Sequence, residues 1–187
     1  MNKSLLVFAR TPELGKVKSR LAASLGVKKA LLIYKELLNN TLSMAVKTNA
    51  NVNIYWSEKM QNGRLQVGAD LGERMYHAIS NEIKKHDLVC LIGTDTPTLT
   101  PAIIEQAFNK LAKYDIILGP AKDGGYYLVA CKAHPPKELF LHKKWSHNAV
   151  LSEALETCKL TNLSVGLLPV LMDIDTEDDY NKWQATE

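Results

Sequence analysis

Apolar runs alternate with amphipathic stretches along most of this chain. Leu88-Val89-Cys90-Leu91-Ile92 is apolar without alternation and stops at Gly93, the pattern of a strand buried on both faces of a parallel sheet. Ser4 to Ala9, Asn51 to Trp56, Asp115 to Pro120 and Tyr126 to Cys131 read as further strands. Between them the apolar spacing changes to three and four, the period of a helix face. Leu31, Tyr34, Leu38, Leu42 and Ala45 predict a helix from Val27 to Lys47, and Leu71, Met75, Ile79 and Ile83 one from about Leu71 to Lys85. Ile104, Phe108 and Leu111 line a helix from Pro101 to Lys113, with Thr100 as N-cap and Pro101 in the first turn. Ser146 is expected to cap a helix from about His147 to Cys158. Leu163 to Ile174 holds more strand material, broken by Gly166 and Pro169, and Thr176-Glu177-Asp178-Asp179 resembles a capping box opening the last helix.

This alternation predicts an α/β fold, a mostly parallel mixed sheet with helices on both faces. The close pairing of two strands around Gly124-Gly125 supplies the antiparallel element. A length of 187 residues fits one domain, since domains run to about 100–200 residues. The net charge of +3 is too small to imply nucleic acid. Cys90, Cys131 and Cys158 form no CxxC pair and read as reduced, mostly core residues. Leu5 to Ala9 is too short for a signal peptide or a membrane span, so a cytoplasmic protein is expected. His77, His86, His134, His142 and His147 are scattered and read as surface residues.

Five stretches carry candidate chemistry. The central strand ends in Gly93-Thr94-Asp95-Thr96-Pro97, which places Asp95 at the carboxyl edge of the sheet, where open α/β sheets bind ligands; a turn-stabilising aspartate is the alternative. The loop from Arg10 to Arg20 carries Arg10, Lys16, Lys18 and Arg20 just beyond a strand end. Cations beside free helix N–H groups suit phosphate, although the P-loop spacing is absent and a solvated basic turn would look the same. Asp123-Gly124-Gly125-Tyr126-Tyr127 is a tight turn exposing a carboxylate, or a plain hairpin turn. Asp173 and Asp175, two apart, would share a side of an extended segment. Either could join Asp95 on Mg²⁺ or Mn²⁺, which prefer oxygen ligands. Gly68 and Gly72, which flank Asp70, fit close ligand approach or ordinary turn chemistry.

Taken together, these blocks resemble a known family. Phe8-Ala9-Arg10-Thr11-Pro12 with Gly15 to Leu21, Asp70 to Met75, Ile92 to Pro97, Gly119 to Tyr127, Trp145-Ser146 and Asp173 to Thr176 look like the signatures of DUF2064 proteins. These are grouped with GT-A-type glycosyltransferases, of nucleotide-diphospho-sugar transferase fold. Ser19 and His147 depart from the threonines usual there. The resemblance implies a Rossmann-like GT-A sheet, Asp95 as the metal-binding acid, and Arg10, Lys18 and Arg20 on the diphosphate, with Lys16 in the same basic loop. It also places Gln66 and Gly72 by the base, and Asp123, Gly124 and Gly125 toward the sugar or acceptor.

The expected activity is metal-dependent transfer of a sugar from a nucleotide-diphosphate sugar. The Lys18-Ser19-Arg20-Leu21 loop and the Asp-Gly-Gly turn also resemble 2-phospholactate guanylyltransferases, so a nucleotidyltransferase acting on a nucleoside triphosphate is the rival. The absence of an LxGGxxxRxG loop tilts the reading toward glycosyl transfer. A non-catalytic nucleotide-binding protein is the third reading. Trp56, Trp145 and Trp183 fit an acceptor platform or a homodimer contact, with core packing for at least one of them.

Overall fold

The computed structural model describes residues 1–141 and 143–186. A seven-stranded sheet forms the centre, in the order β3-β2-β1-β4-β6-β5-β7. Its strands are β1 (Lys3–Ala9), β2 (Asn51–Trp56), β3 (Arg64–Leu65), β4 (Leu88–Ile92), β5 (Ile116–Pro120), β6 (Tyr126–Cys131) and β7 (Val165–Leu167). β6 is antiparallel to β4 and β5, and every other pairing is parallel. The expected mixed sheet is therefore present, with its one reversed strand entered through the Asp123-Gly124-Gly125 turn. β1 and β4 are the innermost parallel pair, with Leu5 opposite Cys90.

Successive β1 side chains feed opposite faces of the sheet. Leu5 and Val7 join Ile104, Ala107 and Phe108 of α4 (Pro101–Lys110) on one side. Leu6 and Phe8 join Met75, Ala78 and Ile79 of α3 (Leu71–Glu82), and Ala154 and Cys158 of α5 (Val150–Leu160), on the other. Both faces are thus covered, which is why β4 is buried along its whole length. The three cysteines are free and buried. Among the described residues no helix is long and apolar enough to cross a membrane.

The long helix α2 (Val27–Ala45) buries two stripes rather than one. Tyr34 and Leu38 pack with Ala9, Val17 and Trp56, whereas Ala30, Ile33 and Leu37 meet Leu21, Ile174 and Trp183. The second stripe exists because α1 (Ser19–Leu25) and α6 (Glu177–Gln184) pack over it. Helix α1 has no counterpart in the sequence reading. Seven residues are too few to hold a helix without tertiary support, and its apolar face is legible only once Ile174 and Trp183 are beside it. β3 likewise has no sequence signature, since two exposed residues carry no period.

Several boundaries move. Ser146 does not cap α5: it sits at φ 65, the helix begins at Val150, and Leu151 N–H donates to Gly124 O at 2.9 Å. The first turn of α5 is therefore set by the β5–β6 turn. Of Leu163 to Ile174, only Val165–Leu167 is a strand, followed by a single bridge between Ala121 and Leu171. Leu71 is exposed, because Gly72 occupies the packed position at the start of α3. The Thr176 capping box forms, its N3 partner being Asp179. Trp56 and Trp183 are core residues, and Trp145 is partly buried. Of the histidines expected at the surface, His77 and His134 are exposed and His147 is half-buried. His86 is the exception, with its ring against the buried Glu82. His142 lies outside the described residues.

Candidate active site

Asp95 lies just past the carboxyl end of β4, as the strand pattern requires. Residues 173–175 reach it from far along the chain. Ile174 is fully buried among Leu21, Ile33, Leu37 and Trp183, and its N–H donates to Asp95 O at 2.8 Å. Anchoring the middle residue this way brings both flanking carboxylates to the end of β4. Thr96 Oγ1 donates to Asp173, and Asp175 shares a cation with Asp95.

That cation is Lys18. Its Nζ is 2.8 Å from Asp95 Oδ1 and 3.2 Å from Asp175 Oδ1, and it donates to Ile174 O at 2.6 Å. The Lys18 side chain is only 5% exposed, while those of Asp95 and Asp175 are 42% and 39% exposed. Lys18 is also the N-cap of α1, at φ 50 and ψ 53. A non-glycine residue held in the left-handed region costs on the order of 1–3 kcal/mol and persists only where its surroundings enforce it. Burial alone would lower the Lys18 pKa, but the two carboxylates outweigh it and hold the ammonium above its usual range.

The other basic residues separate. Arg20 reaches the edge of the cluster, 3.6 Å from Asp175 Oδ2, and is mostly exposed. Arg10 is exposed at the end of β1, and its backbone is clamped by Tyr34. The Arg10 N–H donates to Tyr34 Oη and that hydroxyl donates to Arg10 O, both at 2.7 Å. Burial pushes the Tyr34 phenol up to about 12, so it stays a neutral hinge pin. Lys16 turns away to Glu13 and Glu58. Tyr34 falls in the apolar spacing of α2, and its polar tip on that face is the one signal in the sequence that sets it apart.

Asp173 is the most perturbed acid of the group. Burial raises its pKa to about 6; the Thr96 hydrogen bond opposes this, and the charges of Asp95, Asp123 and Asp175 add to it. Four carboxylates therefore converge on one region with Lys18 among them. Among the described residues no three His, Cys, Asp or Glu side chains are grouped so as to hold a metal by themselves. The donor set still fits a hard cation, because Mg²⁺ takes one or two carboxylates and completes its shell with water and phosphate oxygens. An ammonium already stands between two of the carboxylates.

The glycine-bearing stretches are held by contacts within the protein. Gln66 Nε2 donates to Ala9 O at 3.1 Å and Tyr55 O at 2.8 Å, tying the loop before α3 to the ends of β1 and β2. At Gly72 a Cβ would lie 2.0 Å from Phe140 O and 2.7 Å from Trp145 Nε1, so this glycine serves helix packing. Gly124 is at φ +91, and a Cβ there would meet the Asn148 backbone at 2.1 Å. Gly125 N–H donates to Asp123 Oδ1 at 2.8 Å, closing the turn. Asp123 remains exposed.

Two anchors were not singled out from sequence. Thr96 is buried and holds Asp173. Glu82 is fully buried and receives hydrogen bonds from Ser4 Oγ, Tyr55 Oη and Arg64, the last carried by β3. The polar residues Ser4 and Asn53 within strand runs were the legible hint. A surface depression of about 710 Å³ runs along α4, lined by Ala102, Glu105, Asn109 and Tyr114, and shares no residue with the carboxylate group.

A parallel sheet with one reversed strand, and acids and bases gathered at its carboxyl edge, is the fold of the nucleotide-diphospho-sugar transferases. A protein of Desulfovibrio desulfuricans G20 assigned to those transferases superposes with TM-score 0.93 at 31% identity, over 100% of this chain and 88% of its own. The chain belongs to the DUF2064 family, described as an uncharacterized protein conserved in bacteria, whose profile matches residues 22–147. Two more distant structures share the fold. A cytidylyltransferase from Leptospira borgpetersenii serovar Hardjo-bovis has TM-score 0.64 at 12% identity, over 99% of this chain and 86% of that one. Rv0371c of Mycobacterium tuberculosis H37Rv, in complex with manganese, has TM-score 0.55 at 15% identity, over the full length of both. No curated protein matches the chain.

Proposed function

We propose that this protein transfers a sugar from a nucleotide-diphosphate sugar, with a divalent metal, to an acceptor. The observation that carries the reading is the juxtaposition of Asp95, Asp173 and Asp175 with Lys18 and Arg20 at the carboxyl edge of the sheet. Asp95, with Asp173 or Asp175, would hold Mg²⁺ or Mn²⁺. The metal, when bound, supplies charge neutralisation on the diphosphate leaving group. The manganese complex of Rv0371c supports a metal on this fold. Arg10, Lys18 and Arg20 bind the diphosphate, and Lys16, paired with Glu13 and Glu58, contributes only to the outer field. Gln66 holds the loop on the nucleotide side, and Gly72, Gly124 and Gly125 shape the walls. Asp123, exposed on its turn, is the candidate base or acceptor contact.

A second reading is favoured by one observation: the Leptospira structure sharing this fold is a cytidylyltransferase. In that case a nucleoside triphosphate is the substrate and pyrophosphate the product. Thermal shift against nucleoside triphosphates, diphosphates and diphosphate-sugars, each with and without Mn²⁺, separates the readings. A ligand at 100 times its dissociation constant adds about 2.7 kcal/mol. Metal-dependent stabilisation by one diphosphate-sugar supports glycosyl transfer. Preference for one triphosphate, with pyrophosphate release, supports the rival. Stabilisation by nucleotides without turnover of any donor leaves a binding protein.

A further inference from the structure

Lys18 occupies an unusual position for a phosphate-binding residue. It is buried, its ammonium sits between Asp95 and Asp175, and a left-handed backbone holds it there. One positive charge faces two carboxylates at 2.8 and 3.2 Å, and a third acid, Asp173, is near enough to feel both. An ammonium in that place excludes a metal ion in two ways: it fills the space between the carboxylate oxygens, and it repels a second cation. Its contacts with Ile174 O and Asp175 come from a segment anchored elsewhere, by Ile174 in the core. The carboxylates therefore stay in place when the ammonium leaves.

We infer that Lys18 is the resident cation of the Asp95–Asp175 pair and is exchanged for the divalent metal when a diphosphate draws it away. The inference rests on the proposed function for its ligands and adds how they are coupled. Metal alone must compete with Lys18 and binds weakly. Diphosphate gives the ammonium a new partner, opens the carboxylates and lets the metal enter. By linkage the same factor works in reverse, so metal tightens diphosphate as much as diphosphate tightens metal. The site thus fills with metal and donor together.

A single variant tests the exchange through two ligands whose affinities move in opposite directions. In the full-length protein, Mn²⁺ alone is titrated and free Mn²⁺ read by electron paramagnetic resonance. Inorganic pyrophosphate is titrated separately by calorimetry in EDTA. Lys18→Met is expected to tighten Mn²⁺ at least tenfold and weaken pyrophosphate at least tenfold. Adding Asp95→Asn to Lys18→Met should return Mn²⁺ to weak binding, which places the gain at this pair. A loss of structure would weaken both ligands, and Lys18→Asn, whose residue tolerates the left-handed region, is read alongside for that reason. Mn²⁺ binding unchanged or weakened in folded Lys18→Met and Lys18→Asn overturns the exchange while leaving the metal and diphosphate sites standing. Failure of every form to bind either ligand overturns the exchange and the proposed function together.

Discussion

The Ile174 N–H donates to the Asp95 carbonyl at 2.8 Å, joining the end of the central strand to a segment near the other end of the chain. Because Ile174 is itself buried between α1, α2 and α6, this bond fixes where Asp173 and Asp175 stand. The backbone carries the anchoring, and the Asp95 side chain, paired with Lys18, takes no part in it. Asp95→Ala is therefore expected to abolish metal-dependent binding of a diphosphate donor while the far-UV circular dichroism stays as in the wild type. Donor binding unchanged in the mutant, measured by calorimetry with Mn²⁺, would remove Asp95 from the site.

Asp173 makes stability depend on pH in the direction opposite to most acids. Its folded pKa of about 6 lies above the ordinary value of 3.8, so the native state binds the extra proton and stability falls as pH rises from about 4 to 6. Above that range the cost is constant, on the order of 2–3 kcal/mol at about 1.4 kcal/mol per pH unit. Asp173→Asn, which can still accept from Thr96, should stabilise the protein by about that amount at pH 8 and by almost nothing at pH 4. Urea melts at both pH values check it; equal gains at each would show that charge is not the cause.

Gly72→Ala separates a packing role from a ligand role. The new methyl would strike Phe140 O and Trp145 Nε1, so the start of α3 must shift. Overpacking of this kind costs about 1–3 kcal/mol. Thermal unfolding without any nucleotide should show the loss. A wild-type melt combined with weakened nucleotide binding would instead give Gly72 the base-side role that the sequence suggested.

The Arg64–Glu82 ion pair fastens β3, which Gln66 directly follows, to α3. Glu82 is fully buried, and His86 Nδ1 stands 3.3 Å from its Oε2. Removing one partner of a buried pair costs about 3–5 kcal/mol. Arg64 is partly exposed, so Arg64→Ala is expected near the lower end, about 3 kcal/mol by chemical denaturation. A loss under roughly 0.5 kcal/mol, the scale of an exposed pair, would mean the remaining donors satisfy Glu82 without it.

The amino-acid sequence determined the strands and helices whose period is carried by their own residues. β2 and β6 fall where the apolar runs place them, as do the Thr100 and Thr176 caps and Asp95 at a strand end. These follow from local sterics, capping and the burial of β4 on both faces, all written in neighbouring positions. The family blocks were legible for the same reason. Helix α1, β3 and the true start of α5 were not, because each is held by residues distant in the chain: Ile174 and Trp183, β2, and the Gly124 turn. The tertiary structure alone decided that Lys18 turns inward to Asp95 while Lys16 turns out to Glu58. Two lysines two residues apart look alike in sequence; the difference is the pair of carboxylates that folding brings to one of them.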